Sequence, residues 1–200
     1  MAIPEDLRYA AVRSLHDAVL AQQPPAGGSG PAWGAIADNH QFNCQLWDEE
    51  DLARRRSVPD AEIARNKRNI DGFNQKRNDA IERIDEHLLH ALAGVARRPD
   101  ARLSSETAGG MIDRLSILAL KIHHMRLQTL RTDVDAAHVS ACEAKLARLL
   151  EQRADLGACL DRLLEEAARG ESYFKIYRQF KMYNDPALNP AVYGEKAGRP

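Results

Sequence analysis

The chain has 200 residues, 44% of them hydrophobic and 28% charged, a balance typical of globular proteins that excludes disordered and membrane-spanning classes. Lys and Arg number 28 against 29 Asp and Glu, so the formal net charge of -1 provides no global field to attract nucleic acid or an anionic membrane. This length suits a single domain covering residues 1–200. Aromatic residues make up only 6%, which favours helix over strand.

The first half of the chain carries three predicted helices. Pro4 and the two acidic residues after it favour a helix over 4–22, and the Gly- and Pro-rich segment that follows predicts a flexible loop at 23–31. A second helix is predicted over 33–57, where charged residues run from acidic to basic. A third helix over 59–93 would be about 50 Å long at 1.5 Å per residue.

The second half carries two further long helices. Residues 111–130 are apolar on more than one face, which predicts a central helix that is buried on most sides. Leucines at steps of three and four predict a helix over 133–168 that Gly170 ends. A short helix is expected at 171–182 and an extended tail at 184–200, where Pro and Asn recur. The sequence therefore predicts an all-α bundle of five to six helices with long antiparallel central helices.

The cysteines and the N-terminal segment indicate a cytoplasmic protein. Cys44, Cys142 and Cys159 have no CxxC spacing and are odd in number, which argues against a disulfide framework and a structural zinc site. The N-terminal segment mixes charged and apolar residues and lacks the apolar core of a signal peptide or membrane anchor. We therefore expect a cytoplasmic location with no membrane insertion and no nucleic-acid partner.

A polar stripe on the second helix is a candidate ligand site. Its members recur at steps of three or four and so share one face, with Asp51 beside them: His40, Asn43, Trp47, Glu50 and Arg54. Trp47 would offer a stacking surface and Arg54 would bind an anion. The alternative is that Trp47 belongs to the core and the charged residues form an exposed helix surface.

A second polar stripe follows the third helix beside an apolar one. It comprises Lys67, Asp71, Asn74, Asn78, Glu82 and Asp85. Asparagine is a poor helix former, so a functional use would explain its repeated presence here. Glu82 and Asp85 have the ExxD spacing that presents two carboxylates to a divalent cation such as Mg, with Asp71 or Glu50 as further ligands. A solvated or ion-paired face is the alternative.

The apolar fourth helix contains two charged residues, Asp113 and Lys121. A charge among hydrophobic side chains must be paired or its pKa shifts, so partners such as Arg77 or Glu82 are expected across the bundle. His123 and His124 on the same helix point about 100 degrees apart, which makes a shared metal improbable and places them on the surface. The sequence contains no GxSxG, GxxxxGK[ST], GxGxxG or HExxH signature.

Four segments together resemble the bacterial family called domain of unknown function 4254: HQFNCQLWDEEDLAR, KRNIDGFNQKRNDAIERIDEHLL, GGMIDRLSILALKIHHM and QFKMYNDPALNP. The resemblance covers about residues 36–190. It implies a role in the assembly of cell-surface polysaccharide and lipopolysaccharide, near glycosyltransferases, but no activity. The family's motifs fall at His40, Asn43, Trp47, Glu50, Asp51, Arg54, Lys67, Asp71, Asn74, Arg77, Asn78, Glu82, Asp85, Asp113 and Lys121.

Three hypotheses follow, and the sequence does not decide whether the protein is an enzyme. In the first, an accessory protein of surface-glycan assembly binds a sugar phosphate, a nucleotide sugar or a glycosyltransferase. Its anion would be held by Arg54, Lys67, Arg77 and Lys121, and its sugar by Trp47, Asn74 and Asn78. In the second, a divalent-metal hydrolase of nucleotide or sugar phosphates uses Glu50, Asp71, Glu82 and Asp85, with His40 as acid or base. The third is an oligomerisation scaffold, such as a homodimer formed by the long helices.

Overall fold

The computed structural model describes residues 7–25, 28–178, 182 and 185–197. Of these, residues 195–197 are described by their backbone alone. Within these ranges the elements in chain order are α1 (Tyr9–Leu20), α2 (Pro31–Leu52), α3 (Asp60–Ala91), β1 (Arg102–Leu103), α4 (Ala108–Thr129), α5 (Ala136–Ala168), β2 (Ser172–Tyr173) and α6 (Pro190–Ala197). The predicted all-α bundle is confirmed. The described part of the predicted 23–31 loop lacks helix and strand before Pro31, whereas residues 4–6, 26 and 27 lie outside the described ranges.

Local chemistry fixes where the long helices begin. Pro31 opens α2 directly after Gly30, whose φ of 93° only glycine adopts readily. The hydroxyl of Thr107 accepts the Gly110 N–H at 3.0 Å and so caps α4. Asp135 caps α5 in the same way by accepting the His138 N–H at 2.7 Å.

The helices pair as two antiparallel hairpins, α2 with α3 and α4 with α5, and α4 also packs against α1, α2 and α3. Helix α4 is therefore the central helix that its apolar residues predict. The core is a cluster of buried side chains from α1 to α5, together with Leu7 before α1 and Phe174 after β2. Its helical members are Val12, Leu15, Ala35, Ile36, Ile84, Leu88, Ala108, Met111, Ile112, Leu115, Leu156, Leu160, Leu163 and Leu164.

Polar contacts anchor α1 to α5. The guanidinium of Arg153, which is almost fully buried, donates to the Asp17 carboxylate at 2.6 Å. The Asp161 side chain accepts the Tyr9 backbone N–H at 2.9 Å and so satisfies a free donor at the start of α1. These contacts hold α1 against α4, and His16 of α1 there stacks on His40 of α2.

The predicted short helix at 171–182 is wrong over its described part, 171–178. Gly170 adopts a left-handed φ of 72° and leads into β2, which pairs in parallel with β1 in the register Arg102 to Ser172. Tertiary pairing with β1 and burial of Phe174 override the local helix preference of this segment. Residues 179–181 of the predicted helix lie outside the described ranges.

The extended tail predicted at 184–200 is also corrected, because it contains α6. Asn189 accepts the Ala191 N–H through its side chain at 3.0 Å, and Pro190 occupies the first helical position. This is the arrangement of an N-cap followed by a proline that starts a helix. Asn and Pro were interpreted as turn residues, although the same pair also begins helices.

Candidate functional site

A cleft of about 330 Å³ lies between α2, α3 and α4. We call it the amide cleft, and it is lined by Asn43, Leu46, Trp47, Glu50, Asp51, Arg54, Asn74, Arg77, Ile117 and Leu120. It therefore brings together seven of the fifteen residues at which the family's motifs are expected: Asn43, Trp47, Glu50, Asp51, Arg54, Asn74 and Arg77. Its volume falls in the range of small-molecule sites in proteins.

A buried carboxylate, Asp113, contacts two of the residues that line this cleft, Asn43 and Arg77. Asp113 of α4 accepts hydrogen bonds from the side-chain amides of Asn39 and Asn43, each at 2.9 Å. Nε of Arg77 lies 3.8 Å from the same carboxylate oxygen, so the cross-bundle partner predicted from the sequence is present. Because Asp113 is buried, these neighbours supply the hydrogen bonds and positive charge that its carboxylate needs away from water.

The network continues into the core through neutral groups. Asn43 donates to the Ser116 hydroxyl at 3.0 Å, and Ser116 lies 2.7 Å from Nδ1 of His40. The ring of His40 stacks on that of His16 with centroids 4.4 Å apart. Burial lowers the pKa of His40 to about 4 and lowers that of His16 as well. Both rings are therefore neutral near pH 7, and His40 lies in the core rather than on the surface of the cleft.

Two hydrogen-bond donors of the cleft residues have no acceptor within the described part of the chain. They are the indole N–H of Trp47 and Nε–H of Arg77, and both atoms are shielded from solvent. Buried donors are nearly always paired in folded proteins, and an unmet one costs about 1 to 3 kcal/mol. The indole also stacks on the ring of His124, with centroids 4.4 Å apart and 7° between the planes. Trp47 and Arg77 both line the cleft, so a ligand that brought acceptors to these two donors would satisfy them.

Ion pairs occupy the outer end of the first polar stripe. Glu50 contacts Arg54 at 2.7 Å and Lys67 at 3.9 Å, and both cationic side chains are largely exposed. Asp71 is exposed and makes no hydrogen bond or ion pair with the described residues. Arg54 and Glu50 therefore form the rim of the cleft, whereas Lys67 and Asp71 lie outside it.

The remaining residues of the second stripe line a separate small cavity of about 80 Å³. Its walls are Asn78, Ile81, Glu82, Asp85, Thr107, Ile176 and Tyr177. Asp85 is buried and accepts the Gly109 N–H at 2.7 Å, which ties α3 to the first turn of α4. Glu82 lies 3.8 Å from Nε of Arg178. This carboxylate pair therefore faces the start of α4 and not the amide cleft.

The alternative metal set is not brought together. Glu50 contacts Lys67 on α3, and Glu82 lies fifteen residues further along that helix, about 22 Å away at 1.5 Å per residue. In residues 7–25, 28–178, 182 and 185–197 no three His, Cys, Asp or Glu side chains are grouped so that they could hold a metal ion. Glu50, Asp71, Glu82 and Asp85 therefore cannot act as one set of ligands in this arrangement.

The pKa of Asp85 gives a testable pH dependence. Burial and the nearby Glu82 raise it to about 6, against the hydrogen bonds from Thr107 and Gly109. A carboxyl whose folded pKa exceeds its unfolded value holds its proton more tightly when folded, so stability falls as pH rises from about 4 to 6. Asp85→Asn removes this titration.

We expect the free energy of unfolding of Asp85→Asn, minus that of the unmodified protein, to be about 2 kcal/mol higher at pH 7 than at pH 4. Urea titrations at the two pH values measure the difference. Asp79→Asn, an exposed change on the same helix, is the matched control and should show no comparable trend. A pH-independent effect of Asp85→Asn would contradict the raised pKa.

Four residues around the cleft are not predicted from the sequence or are predicted to lie elsewhere. Asn39 and Ser116 complete the network of Asp113, and His16 stacks on His40. His124, expected on the surface, is half-buried against Trp47. Asn39 lies one turn before Asn43, a spacing that would have revealed it, whereas His16 comes from a helix whose position over α4 only tertiary packing decides.

The chain belongs to the family described as "Protein of unknown function (DUF4254)", which matches residues 33–176. The matched span contains α3 to α5, all of α2 except its first two residues, the amide cleft, and the small cavity around Asp85 except for Tyr177. No curated protein and no solved structure matches the chain. Among the described residues, no helix is long and apolar enough to cross a membrane. The chain is therefore an all-α member of this family, and the amide cleft is the site for which a function can be proposed.

Proposed function

We propose that this protein binds a sugar phosphate or nucleotide sugar in the amide cleft, as an accessory component of cell-surface polysaccharide and lipopolysaccharide assembly. The observation that carries the proposal is the pair of unmet, solvent-shielded donors on Trp47 and Arg77 in a cleft of ligand size. The role in surface-polysaccharide assembly rests on what the family resemblance implies. A glycosyltransferase partner, a homodimer and a cytoplasmic location remain predictions.

The chemistry of the cleft suits a polyhydroxylated anion. Trp47, Arg77 and Asn74 supply N–H donors for phosphate and hydroxyl oxygens, while Glu50 and Asp51 can accept hydrogen bonds from sugar hydroxyls. Arg77 is the cation best placed for a phosphate because it lies deeper than Arg54 and its Nε–H is unmet. Sugar hydroxyls act as both donors and acceptors, so a cleft that carries both kinds of group fits them.

The chain contains two tryptophans, Trp33 and Trp47, which makes the test specific. In Trp33→Phe, the indole of Trp47 is the sole tryptophan and reports directly on the cleft. We expect its emission to change saturably with glucose 1-phosphate or UDP-glucose, and not with inorganic phosphate or glucose alone. The reciprocal variant, Trp47→Phe, leaves the other indole as reporter and should show no saturable change.

Substitutions within the cleft provide the second arm. Asn74→Ala and Arg77→Gln are expected to weaken binding about tenfold or more, because each removes a hydrogen bond to a charged or hydroxyl oxygen. Arg83→Gln is the matched control, since Arg83 lies on the same helix and pairs with Asp38 outside the cleft. Equal binding by Arg77→Gln and Arg83→Gln, or no response to any of these ligands, would refute the proposal.

A further inference from the structure

A second cavity of about 430 Å³, which Trp47 also lines, lies in the groove between α4 and α5. We call it the hairpin groove. Helix α4 contributes Lys121, His124, Met125 and Gln128, and helix α5 contributes Lys145, Arg148, Leu149 and Gln152. Trp47 of α2 closes one end, so this one residue lines both the hairpin groove and the amide cleft.

The charged side chains that line the hairpin groove are all cations. Lys121 and Lys145 reach it from opposite helices, and neither makes a hydrogen bond or ion pair with the described residues. Arg148 is paired with Glu151 at 2.6 Å. Asp48 and Asp51 are close enough to influence His124 but do not line this groove. Two lysines that line one groove without an ion-pair partner make it electropositive, which favours an anion there.

The floor of the hairpin groove is apolar. Met125 and Leu149 line it with apolar side chains, as do the stacked rings of Trp47 and His124. The groove continues along α4 into a neighbouring cavity of about 690 Å³ that shares Lys121 and Gln152. There Met111, Ile117, Leu118 and Leu156 provide further apolar wall, and Glu106, Arg114 and Asp155 are its other charged side chains besides Lys121. A small inorganic anion would leave this surface in contact with water, whereas a hydrocarbon chain would cover it.

We propose that the hairpin groove binds a single-chain anionic amphiphile, with its phosphate or carboxylate head between Lys121 and Lys145 and its chain along Met125, Leu149 and the apolar wall of α4. The paired cations select the charge of the head, and the apolar floor selects the chain. Neither the free sugar phosphates proposed for the amide cleft nor a neutral detergent satisfies both requirements. Apart from Trp47, which lines both cavities, this proposal stands on different residues from those of the amide cleft.

The test uses Trp33→Phe protein and decyl phosphate below its micelle concentration, followed by the emission of Trp47. We expect saturable binding that weakens about tenfold or more in the double variant Lys121→Gln/Lys145→Gln. Binding should also weaken as NaCl is raised from 50 to 500 mM, because the head is held by exposed charges. Decyl maltoside has the same chain with a neutral head, and inorganic phosphate has no chain, so both should bind far more weakly.

Arg162→Gln/Lys175→Gln is the matched control, because it removes two exposed cations that do not line the groove. Unchanged affinity in the lysine double variant, or equal binding of decyl maltoside, overturns the proposal. Binding to phosphatidylglycerol vesicles without binding of monomeric decyl phosphate also overturns it, in favour of adsorption to a lipid surface. Asn74→Ala should leave decyl phosphate binding intact, so failure here is distinguishable from failure of the sugar-phosphate proposal.

Discussion

Asp113→Ala is expected to lower the free energy of unfolding by about 3 to 5 kcal/mol, because it removes the acceptor at the centre of the buried polar network. The amides of Asn39 and Asn43 would each lose a bond of 2.9 Å, and the partly buried Arg77 would lose the nearby negative charge. Their desolvation costs would then be uncompensated in a region closed to bulk water. Guanidinium unfolding with a constant denaturant slope measures the loss.

Asp113→Asn is the informative control for this prediction. The amide oxygen still accepts from Asn39 and Asn43, so we expect a smaller loss of about 1 to 2 kcal/mol from the charge and the altered geometry. If alanine and asparagine had the same effect, the acceptor would not be the important feature. A loss below 1 kcal/mol for alanine would show that the network is not needed for stability.

Gly109→Ala is expected to destabilise the protein by about 2 to 3 kcal/mol, because α3 and α4 approach too closely for a side chain. A Cβ at this position would lie 2.7 Å from the backbone oxygen of Ile81 and 2.9 Å from the Asp85 carboxylate. The Ile81 oxygen belongs to a helix backbone and cannot rotate away, so the two helices must separate. That separation also lengthens the bond from the Gly109 N–H to Asp85.

The neighbouring glycine offers a matched control. A Cβ at Gly110 would meet only the hydroxyl of Thr107 at 3.3 Å and Cγ of Glu106 at 3.7 Å. Alanine is favoured over glycine in helices by about 1 kcal/mol, so we expect Gly110→Ala to change stability by no more than that. Thermal unfolding of the two variants side by side tests the pair. Equal melting temperatures would contradict the steric account of the helix contact.

The four long helices could be predicted because their boundaries carry local signals. Pro59 stands at the start of α3, and Gly170 stands just beyond the end of α5. The predicted bounds of the second helix, 33–57, are less accurate, because α2 begins at Pro31 and ends at Leu52. The two segments assigned to the wrong structure are those where local signals are ambiguous or overridden. Asn189 and Pro190 are typical of turns but begin a helix here. Ser172 and Tyr173 form a strand because they pair with β1, and this pairing exists only in the folded chain.

The candidate site was predicted in part, since helix spacing places residues on a face but does not say what the face meets. The stripe on α2 does share a face, yet it runs from buried His40 and Asn43 to the exposed Arg54. The stripe on α3 extends beyond any one cavity, so Asn74 lines the amide cleft while Asp85 lies in a separate cavity. Distances along a helix of 32 residues explain this division.

The contribution of α1 could not be predicted, because it depends on how that helix crosses the bundle. His16 stacks on His40 because Arg153 and Asp161 of α5 hold α1 in position.

The position of Lys121 was difficult to predict for a different reason. It lies on α4 near the cleft residues Ile117 and Leu120, yet its side chain lines the hairpin groove.

Trp47 is a wall residue of both the amide cleft and the hairpin groove, so its indole can link the two sites. A ring that shifts to accommodate a molecule in one site changes the shape of the other, since both have this side chain as a wall. Thermodynamic reciprocity then requires that each occupant alter the dissociation constant of the other by the same factor. Titrating decyl phosphate with and without saturating UDP-glucose measures that factor, and a ratio of one in both directions would show that the indole does not link the two sites.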